Sequence, residues 1–85
     1  MPEISRFYGI VIYILYREHN PPHFHAIYGD YEVTVEINSG IIEGRMPKRA
    51  LSLISDWYEL HKEELKMIWL MACEKKPLNK IAPLD

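Results

Sequence analysis

The stretch HFHAIYGDYEVTVE, residues 23–36, consists of two runs of strand-forming residues that are separated by Gly29 and Asp30. A two-residue loop that begins with glycine is typical of a tight β-hairpin. The loop length fixes the pairing, because a shift of one residue would move every side chain to the opposite face of the sheet. The predicted pairs are His23 with Glu36, Phe24 with Val35, His25 with Thr34, Ala26 with Val33, Ile27 with Glu32 and Tyr28 with Tyr31.

This pairing gives the hairpin an apolar face and a polar face, as in an antiparallel sheet that has one side in water. The apolar face carries Phe24, Ala26, Tyr28, Tyr31, Val33 and Val35. The polar face carries His23, His25, Glu32, Thr34 and Glu36. We therefore expect other parts of the chain to cover the first face and to leave the second face open.

Two neighbouring segments extend the hairpin into a sheet. Residues 9–16, GIVIYILY, form a run of β-branched and aromatic residues that is typical of a buried strand. The preceding ISRF, residues 4–7, is interpreted as part of the same strand, with a bend at Gly9. Residues 41–46, IIEGRM, predict a short strand after the hairpin. The sequence thus predicts an antiparallel meander of three to four strands.

The second half of the chain has a helical pattern. From Pro47 the apolar residues recur at helical spacing, and no proline or glycine interrupts residues 48–76. One helix of this length would extend about 43 Å, whereas the expected radius of gyration is only about 12 Å. We therefore expect a break near residues 60–62 and two C-terminal helices packed on one face. The predicted fold class is α+β, with residues 1–85 in a single domain.

Composition and charge restrict the classes of function. The 85 residues carry a formal net charge of −2, which argues against a protein whose whole surface binds nucleic acid. The only cysteine, Cys73, has no partner for an internal disulfide, which is typical of a reducing compartment. The longest apolar run is far shorter than the roughly 20 residues of a membrane-spanning helix. These features predict a cytoplasmic protein without a membrane partner.

The polar face of the hairpin is the first candidate site. His23 and His25 point to the same side of their strand, and Glu36 is expected opposite His23, so the three residues could perform acid–base catalysis. The same two imidazoles could instead bind a divalent metal such as zinc, with His19 as a third ligand from beyond the prolines. A solvated strand face with neither activity would also explain these residues.

A second candidate site is the cluster of Arg45, Lys48 and Arg49 at the start of the helical region. Free backbone N–H groups and the positive end of the helix dipole favour anions at such a position. The cluster could therefore bind a phosphate of RNA, DNA or a nucleotide. Solvated charges, or ion pairs with Glu32 or Glu43, would explain the same residues without a ligand.

The tyrosines are numerous enough to form a surface on which nucleobases stack. The hairpin pairing, however, places Tyr28 and Tyr31 on the apolar face. We therefore favour a place in the core for these two tyrosines and for Tyr8, Tyr13 and Tyr16. Core positions are likewise predicted for Trp57, Trp69 and Cys73.

Several segments of the chain also carry a resemblance to a known family. They are ISRFYGI, YREHNPPHFHAIYGDYE, PKRAL, WYELHKEEL and KPLNKIAPL, and together they cover nearly the whole chain. These segments resemble a family of short bacterial proteins with the signature HNPPHFH. That family is catalogued as a domain of unknown function and labelled the DhiT-type toxin of type II toxin–antitoxin pairs. The resemblance implies a compact α+β domain and a small antitoxin-like protein as its partner.

Three classes of function follow from the residues and the resemblance. The leading hypothesis is a toxin that acts on RNA or another phosphate-bearing target, with His23, His25 and Glu36 in catalysis. The second is a small metal-binding protein that uses His19 together with His23 and His25. The third is a non-catalytic module that binds a protein through the open sheet face or a sheet edge. The sequence leaves open whether the protein is an enzyme.

Overall fold

The computed structural model describes residues 2–16 and 19–85. In these residues five antiparallel strands form one sheet in sequence order, and one helix follows them. The elements are β1 (Glu3–Phe7), β2 (Ile10–Tyr13), β3 (His23–Tyr28), β4 (Tyr31–Glu36), β5 (Ile42–Arg45) and α1 (Lys48–Cys73). The α+β class is confirmed, whereas the predicted counts of three to four strands and two helices are wrong. No helix of the described residues is long and apolar enough to cross a membrane.

The additional strand arises from a turn at Tyr8 and Gly9. Both residues have a positive φ, 49° at Tyr8 and 81° at Gly9, as in a two-residue type I′ hairpin turn. The segment ISRF is therefore part of a separate strand, β1, which pairs back on β2. Tyrosine rarely adopts a positive φ, so Tyr-Gly marks a turn less clearly than Asn-Gly or Asp-Gly would.

The central hairpin has the register that its sequence predicts. All of the predicted pairs, from His23 with Glu36 to Tyr28 with Tyr31, are present between β3 and β4. Gly29 has a φ of 60° in the turn, a conformation that glycine adopts without strain. Phe24, which the register assigns to the apolar face, is fully buried. The tight turn therefore sets which side chains enter the core.

The segment after the hairpin continues the meander, because Ile42–Arg45 pairs with β4. Gly44 in this strand has a φ of 115°, a conformation that residues with a side chain rarely adopt. A Cβ atom at this position would lie only 2.6 Å from the backbone oxygen of Glu32. Glycine therefore allows β5 to lie this close to β4.

The helical region is one kinked helix rather than two helices. Lys48–Cys73 is continuous, but His61 has non-helical backbone angles of −124° for φ and 20° for ψ. The kink lies in the predicted region of the break, although the helix ends at Cys73 and not at residue 76. A straight helix of this length would extend about 39 Å, and the longest dimension of the molecule is 34 Å. The chain thus meets its size limit through the kink at His61, where two helical halves meet.

The helix α1 covers one face of the sheet with its apolar side. The Trp57 ring is fully buried, and its centroid lies 5.5 Å from that of Phe7 and 5.6 Å from that of Phe24. Trp69 is also buried, as predicted. Cys73 is exposed, which corrects its predicted place in the core. It is the last helical residue and lies off the buried side of the helix.

The C-terminal segment closes the outer edge of β1. The backbone N–H of Ile81 donates a hydrogen bond of 2.8 Å to the backbone oxygen of Ile4, and the Ile81 side chain is buried. The indole N–H of Trp57 donates a hydrogen bond of 2.9 Å to the backbone oxygen of Ala82. These contacts hold the segment against both the sheet and the helix.

Most of the tyrosines do not lie in the core, which corrects the sequence prediction. Those with exposed fractions between 37% and 59% are Tyr8, Tyr16, Tyr28 and Tyr31. Tyr28 and Tyr31 flank the turn at one end of the hairpin, where the helix leaves them accessible. Tyr13 is buried, but the register places it on the side of the sheet that α1 does not cover.

Candidate functional site

The side of the sheet that α1 does not cover, called the open face below, collects polar side chains from neighbouring strands. Residues directly opposite each other in an antiparallel pair share a face. The register places Tyr13 of β2 opposite His25 of β3, and Glu32 of β4 opposite Arg45 of β5. His23 is two residues from His25 along β3, so the side chains of the two residues lie on the same face.

The carboxylate of Glu32 lies at the centre of the open face. The Tyr13 hydroxyl donates a hydrogen bond of 2.8 Å to Oε2 of Glu32. The same oxygen lies 3.3 Å from Nδ1 of His25. The Tyr13 and His25 rings are stacked, with centroids 4.7 Å apart and planes 8° from parallel. One carboxylate oxygen therefore joins a phenol and an imidazole that already pack against each other.

The contact with Glu32 places a carboxylate beside Nδ1 of His25. A carboxylate oxygen accepts hydrogen bonds and so favours the tautomer that carries the proton on Nδ1. The side chain of His25 is only 12% exposed, whereas that of Glu32 is 51% exposed. The pair thus combines a shielded imidazole with a carboxylate that reaches water.

His23 is held in a comparable way. Its Nδ1 lies 2.8 Å from the backbone oxygen of Pro21, and a carbonyl oxygen only accepts, so Nδ1–H is the donor. The peptide bond between Asn20 and Pro21 is cis. The His23 ring lies edge-on to that of His25 with centroids 5.1 Å apart, and 5.4 Å from the Trp69 ring. Nδ1 of His23 thus donates to a backbone oxygen, whereas Nδ1 of His25 lies at ion-pair distance, 3.3 Å, from the Glu32 carboxylate.

Glu36, the third predicted catalytic residue, lies opposite His23 as the hairpin register requires. The two residues line a shallow cavity of about 160 Å³ together with Thr34 and Glu43. Among the described residues, Glu32, diagonally across the strands, is the carboxylate in ion-pair contact with His25. The structure thus brings His23 and His25 together, and it places beside His25 a carboxylate that sequence reasoning did not select.

The three histidines proposed as metal ligands do not form a ready-made site. His19 is exposed and lies on the far side of the prolines from His23. Among residues 2–16 and 19–85, no group of three or more histidine, cysteine, aspartate or glutamate side chains could hold a metal ion.

The predicted basic cluster is divided between two cavities. Arg45 lines a shallow depression together with Asp30 and Glu32. Arg49 lines a separate cavity of about 500 Å³ that also contains Tyr28 and Asp56. Lys48, the first residue of α1, lines neither of these cavities. Arg45 is therefore the member of the cluster that lies beside Glu32.

Carboxylates dominate the charge of the open face. Along β4 and β5 it carries Glu32, Glu36 and Glu43, with Arg45 as the cation. At the other edge, Arg6 donates a hydrogen bond of 2.7 Å to Glu3. This hydrogen bond is the main reason why the pKa of Glu3 lies below its usual value. While the imidazoles are neutral, the centre of the face is acidic.

Sequence reasoning missed Tyr13 as a site residue and placed Glu32 only on the polar face. The hairpin register already located Glu32 on that face. Thr34 pairs with His25, and Glu32 lies two residues from Thr34 on β4, so a diagonal contact between Glu32 and His25 could have been expected. Tyr13 gave no such signal, because its neighbour depends on how β2 pairs with β3. Those strands are joined by nine residues, 14–22, a connection longer than the two-residue loops that fix a register from sequence.

Comparison with known proteins identifies a family but no characterised relative. The family model described as "Domain of unknown function (DUF4160)" matches residues 9–70, which include Tyr13, His23, His25 and Glu32. No curated protein and no solved structure matches the chain. Any function must therefore be inferred from the site itself.

Proposed function

Because the chain belongs to the DUF4160 family of unknown function, we propose from the geometry of the open face that it is an RNA-cleaving toxin. Its partner would be a small antitoxin-like protein, as the resemblance to DhiT-type toxins implies. The observation that carries the proposal is the pair of adjacent imidazoles, with Nδ1 of His23 2.8 Å from a backbone oxygen and Nδ1 of His25 3.3 Å from the Glu32 carboxylate. In our proposal, Nε2 of each ring exchanges the proton in acid–base catalysis.

Cleavage of RNA next to a 2′-hydroxyl requires one base and one acid. In our proposal, Nε2 of His25 accepts the proton of the 2′-hydroxyl while the 2′-oxygen attacks phosphorus. Protonated His23 gives its proton to the 5′-oxygen as the bond from phosphorus to that oxygen breaks. Glu32 stabilises the His25 imidazolium that forms, and Arg45, opposite Glu32, is placed to neutralise phosphate charge.

The carboxylates of the open face oppose the binding of RNA. A phosphodiester is repelled by Glu32, Glu36 and Glu43. In our proposal, Arg45 and the protonated His23 offset part of this repulsion. We therefore expect RNA to bind more weakly at high salt.

Growth and RNA integrity after expression of the protein test the proposal. Wild-type protein is expected to arrest growth and to fragment RNA, and purified protein to cleave a single-stranded RNA in the presence of a chelator. His23→Ala and His25→Ala are each expected to reduce cleavage by about 100-fold or more, the usual contribution of an acid or a base. Intact RNA with folded wild-type protein would contradict the proposal.

The variant His19→Ala distinguishes acid–base chemistry from metal binding. The acid–base mechanism predicts that His19→Ala cleaves RNA like the wild type, because His19 has no part in the proposed proton transfers. A zinc-binding protein would instead lose metal affinity in His19→Ala as well as in His23→Ala and His25→Ala. Zinc titration by calorimetry separates the two outcomes.

A non-catalytic interaction module is the second candidate, and the carboxylates of the open face favour it. Glu32, Glu36 and Glu43 would attract a basic segment of a partner protein. In that case Glu36→Lys would abolish capture of the antitoxin-like partner, whereas His23→Ala would leave capture and growth arrest unchanged. RNA cleavage that requires both histidines would exclude this alternative as the main function.

A further inference from the structure

The two edges of the sheet differ in how they are covered. The outer edge of β1 is closed by the C-terminal segment through the hydrogen bond from Ile81 to Ile4. At the opposite edge, β5 has β4 as its strand neighbour on one side, and the sheet order ends there. An edge strand with accessible N–H and C=O groups is a template for pairing with another strand.

We propose that β5 pairs antiparallel with β5 of a second copy of this chain, around a two-fold axis at Gly44. The two sheets would then form one continuous sheet, with both helices on one side and both open faces on the other. A two-fold arrangement of this kind uses the same surface on both copies and closes after two subunits.

The charges on β5 select this register. Glu43 and Arg45 both lie on the open face, opposite Thr34 and Glu32. Pairing around Gly44 places Glu43 of each copy opposite Arg45 of the other copy, so two pairs of opposite charges form. A shift by two residues in either direction would instead place Glu43 opposite Glu43 or Arg45 opposite Arg45, which is unfavourable.

A shift by one residue is excluded for a different reason. It would reverse the second copy, because opposite residues must share a face, and its helix would then lie on the open side of the first copy. The helix-covered apolar surfaces of the two sheets would no longer be continuous. The register around Gly44 is therefore the one that matches both the faces and the charges.

The residues that flank the charged pair are complementary as well. In the same register, Ile41 lies opposite Pro47 of the second copy, and Ile42 lies opposite its Met46. The side chain of Ile41 is 59% exposed in the single chain, so pairing would remove apolar surface from water. Apolar residues thus meet apolar residues on both sides of the opposite charges.

The pairing also has a consequence for the open face. Glu43 is part of the cavity that contains His23 and Glu36. Arg45 of the second copy would lie beside Glu43 and so add a cation at the margin of that cavity. The proposed pairing itself rests on the β5 edge and does not depend on RNA cleavage, so each can fail without the other.

Sedimentation velocity over a range of protein concentrations tests the pairing by charge exchange. The wild type is expected to form a dimer. Glu43→Arg and Arg45→Glu, which place like charges opposite each other, are each expected to weaken the dimer by about tenfold or more. The exchanged variant Glu43→Arg/Arg45→Glu restores opposite charges and is expected to recover most of the affinity.

Two controls exclude a general effect of surface charge and a loss of folding. Glu63→Arg makes the same change of charge on exposed helix surface and is expected to leave the dimer intact. Circular dichroism of every variant verifies that the fold is retained. A wild type that stays monomeric at all concentrations would overturn the proposal. A dimer that is indifferent to the single reversals, or that the exchanged variant fails to restore, would also overturn it.

Discussion

The two faces of this sheet are made from alternate residues of the same strands, yet they bury their side chains by different means. On the side covered by α1, Phe24 and Val35 are buried against apolar neighbours such as Trp57. On the open face, Tyr13 is 5% exposed and the His25 side chain 12% exposed, with Glu32 in contact with both. Burial on the first face comes mostly from apolar packing, whereas burial on the second face brings polar side chains into contact with one another.

This difference matters for the stability of the two faces. A phenol, an imidazole and a carboxylate at one point are costly to bury, because each polar group must find a partner when water is excluded. Substitutions on the covered face are therefore expected to lower stability more than substitutions on the open face.

The largest expected effect is on the covered face. Trp57→Ala removes a fully buried indole that packs on Phe7 and Phe24, and should lower the free energy of unfolding by about 3–5 kcal/mol. Urea denaturation followed by circular dichroism measures the change. Met67→Ala, on the same helix and 60% exposed, is the control and should change stability little. Similar losses in both variants would refute the distinction between buried and exposed helix positions.

A smaller effect is expected at the contact between β4 and β5. Gly44→Ala introduces a Cβ atom 2.6 Å from the backbone oxygen of Glu32 at a φ of 115°, and should destabilise the protein by about 1–3 kcal/mol. Because Glu32 is displaced, the NMR signals of His25 should also shift. Gly29→Ala has a positive φ but nothing within 4 Å, so it isolates the conformational part of the effect. Equal losses at both glycines would show that the close approach is unimportant.

The hairpin register and the helix kink are the parts of the fold that could be predicted from the sequence. The register from His23–Glu36 to Tyr28–Tyr31 followed from a two-residue turn, because local turn geometry fixes the pairing of adjacent strands. The kink at His61 followed from the limited size of the chain. Features set by local turn geometry or by the overall dimensions of the domain can thus be predicted from sequence alone.

The remaining features depend on contacts that no local pattern determines. The strand count was wrong because Tyr8 takes a positive φ that tyrosine rarely adopts. Tyr28 and Tyr31 were assigned to the core because they lie on the apolar face of the hairpin. That face is buried only as far as the helix reaches along the sheet, and this reach depends on tertiary packing. The contact of Tyr13 with Glu32 likewise required the β2–β3 register, which a longer connection leaves unspecified.

Two tyrosine hydroxyls provide a direct comparison between the faces. Tyr58, on the covered side, donates a buried hydrogen bond of 2.6 Å to the backbone oxygen of Ile37. Tyr58→Phe leaves that carbonyl oxygen without this donor and should cost about 1–2 kcal/mol. Tyr13→Phe removes the hydrogen bond to Glu32, whose side chain is 51% exposed and can bind water instead, so a loss below about 1 kcal/mol is expected.

RNA cleavage should be affected more by Tyr13→Phe than by Tyr58→Phe, which is the reverse of their effects on stability. Tyr13→Phe removes a contact to the carboxylate that orients His25, and should reduce RNA cleavage although the protein remains stable. Tyr58→Phe should weaken the fold and leave cleavage by the folded protein unchanged. Thermal melts and cleavage rates measured on the same preparations test both statements. A larger loss of stability in Tyr13→Phe would show that the open face also has a structural role.

The smallest expected effect belongs to an exposed ion pair at the edge of the open face. The hydrogen bond from Arg6 lowers the pKa of Glu3 in the folded state. A carboxylate with a lowered folded-state pKa stabilises the protein above its unfolded-state pKa, and this contribution is lost as the pH falls through the folded-state value. Arg6→Ala should therefore melt slightly below the wild type at neutral pH and together with it at strongly acidic pH. Both side chains reach water, so salt should reduce the difference at neutral pH. A difference that persists in acid would mean that Arg6 acts through packing of its aliphatic stem and not through the charge of Glu3.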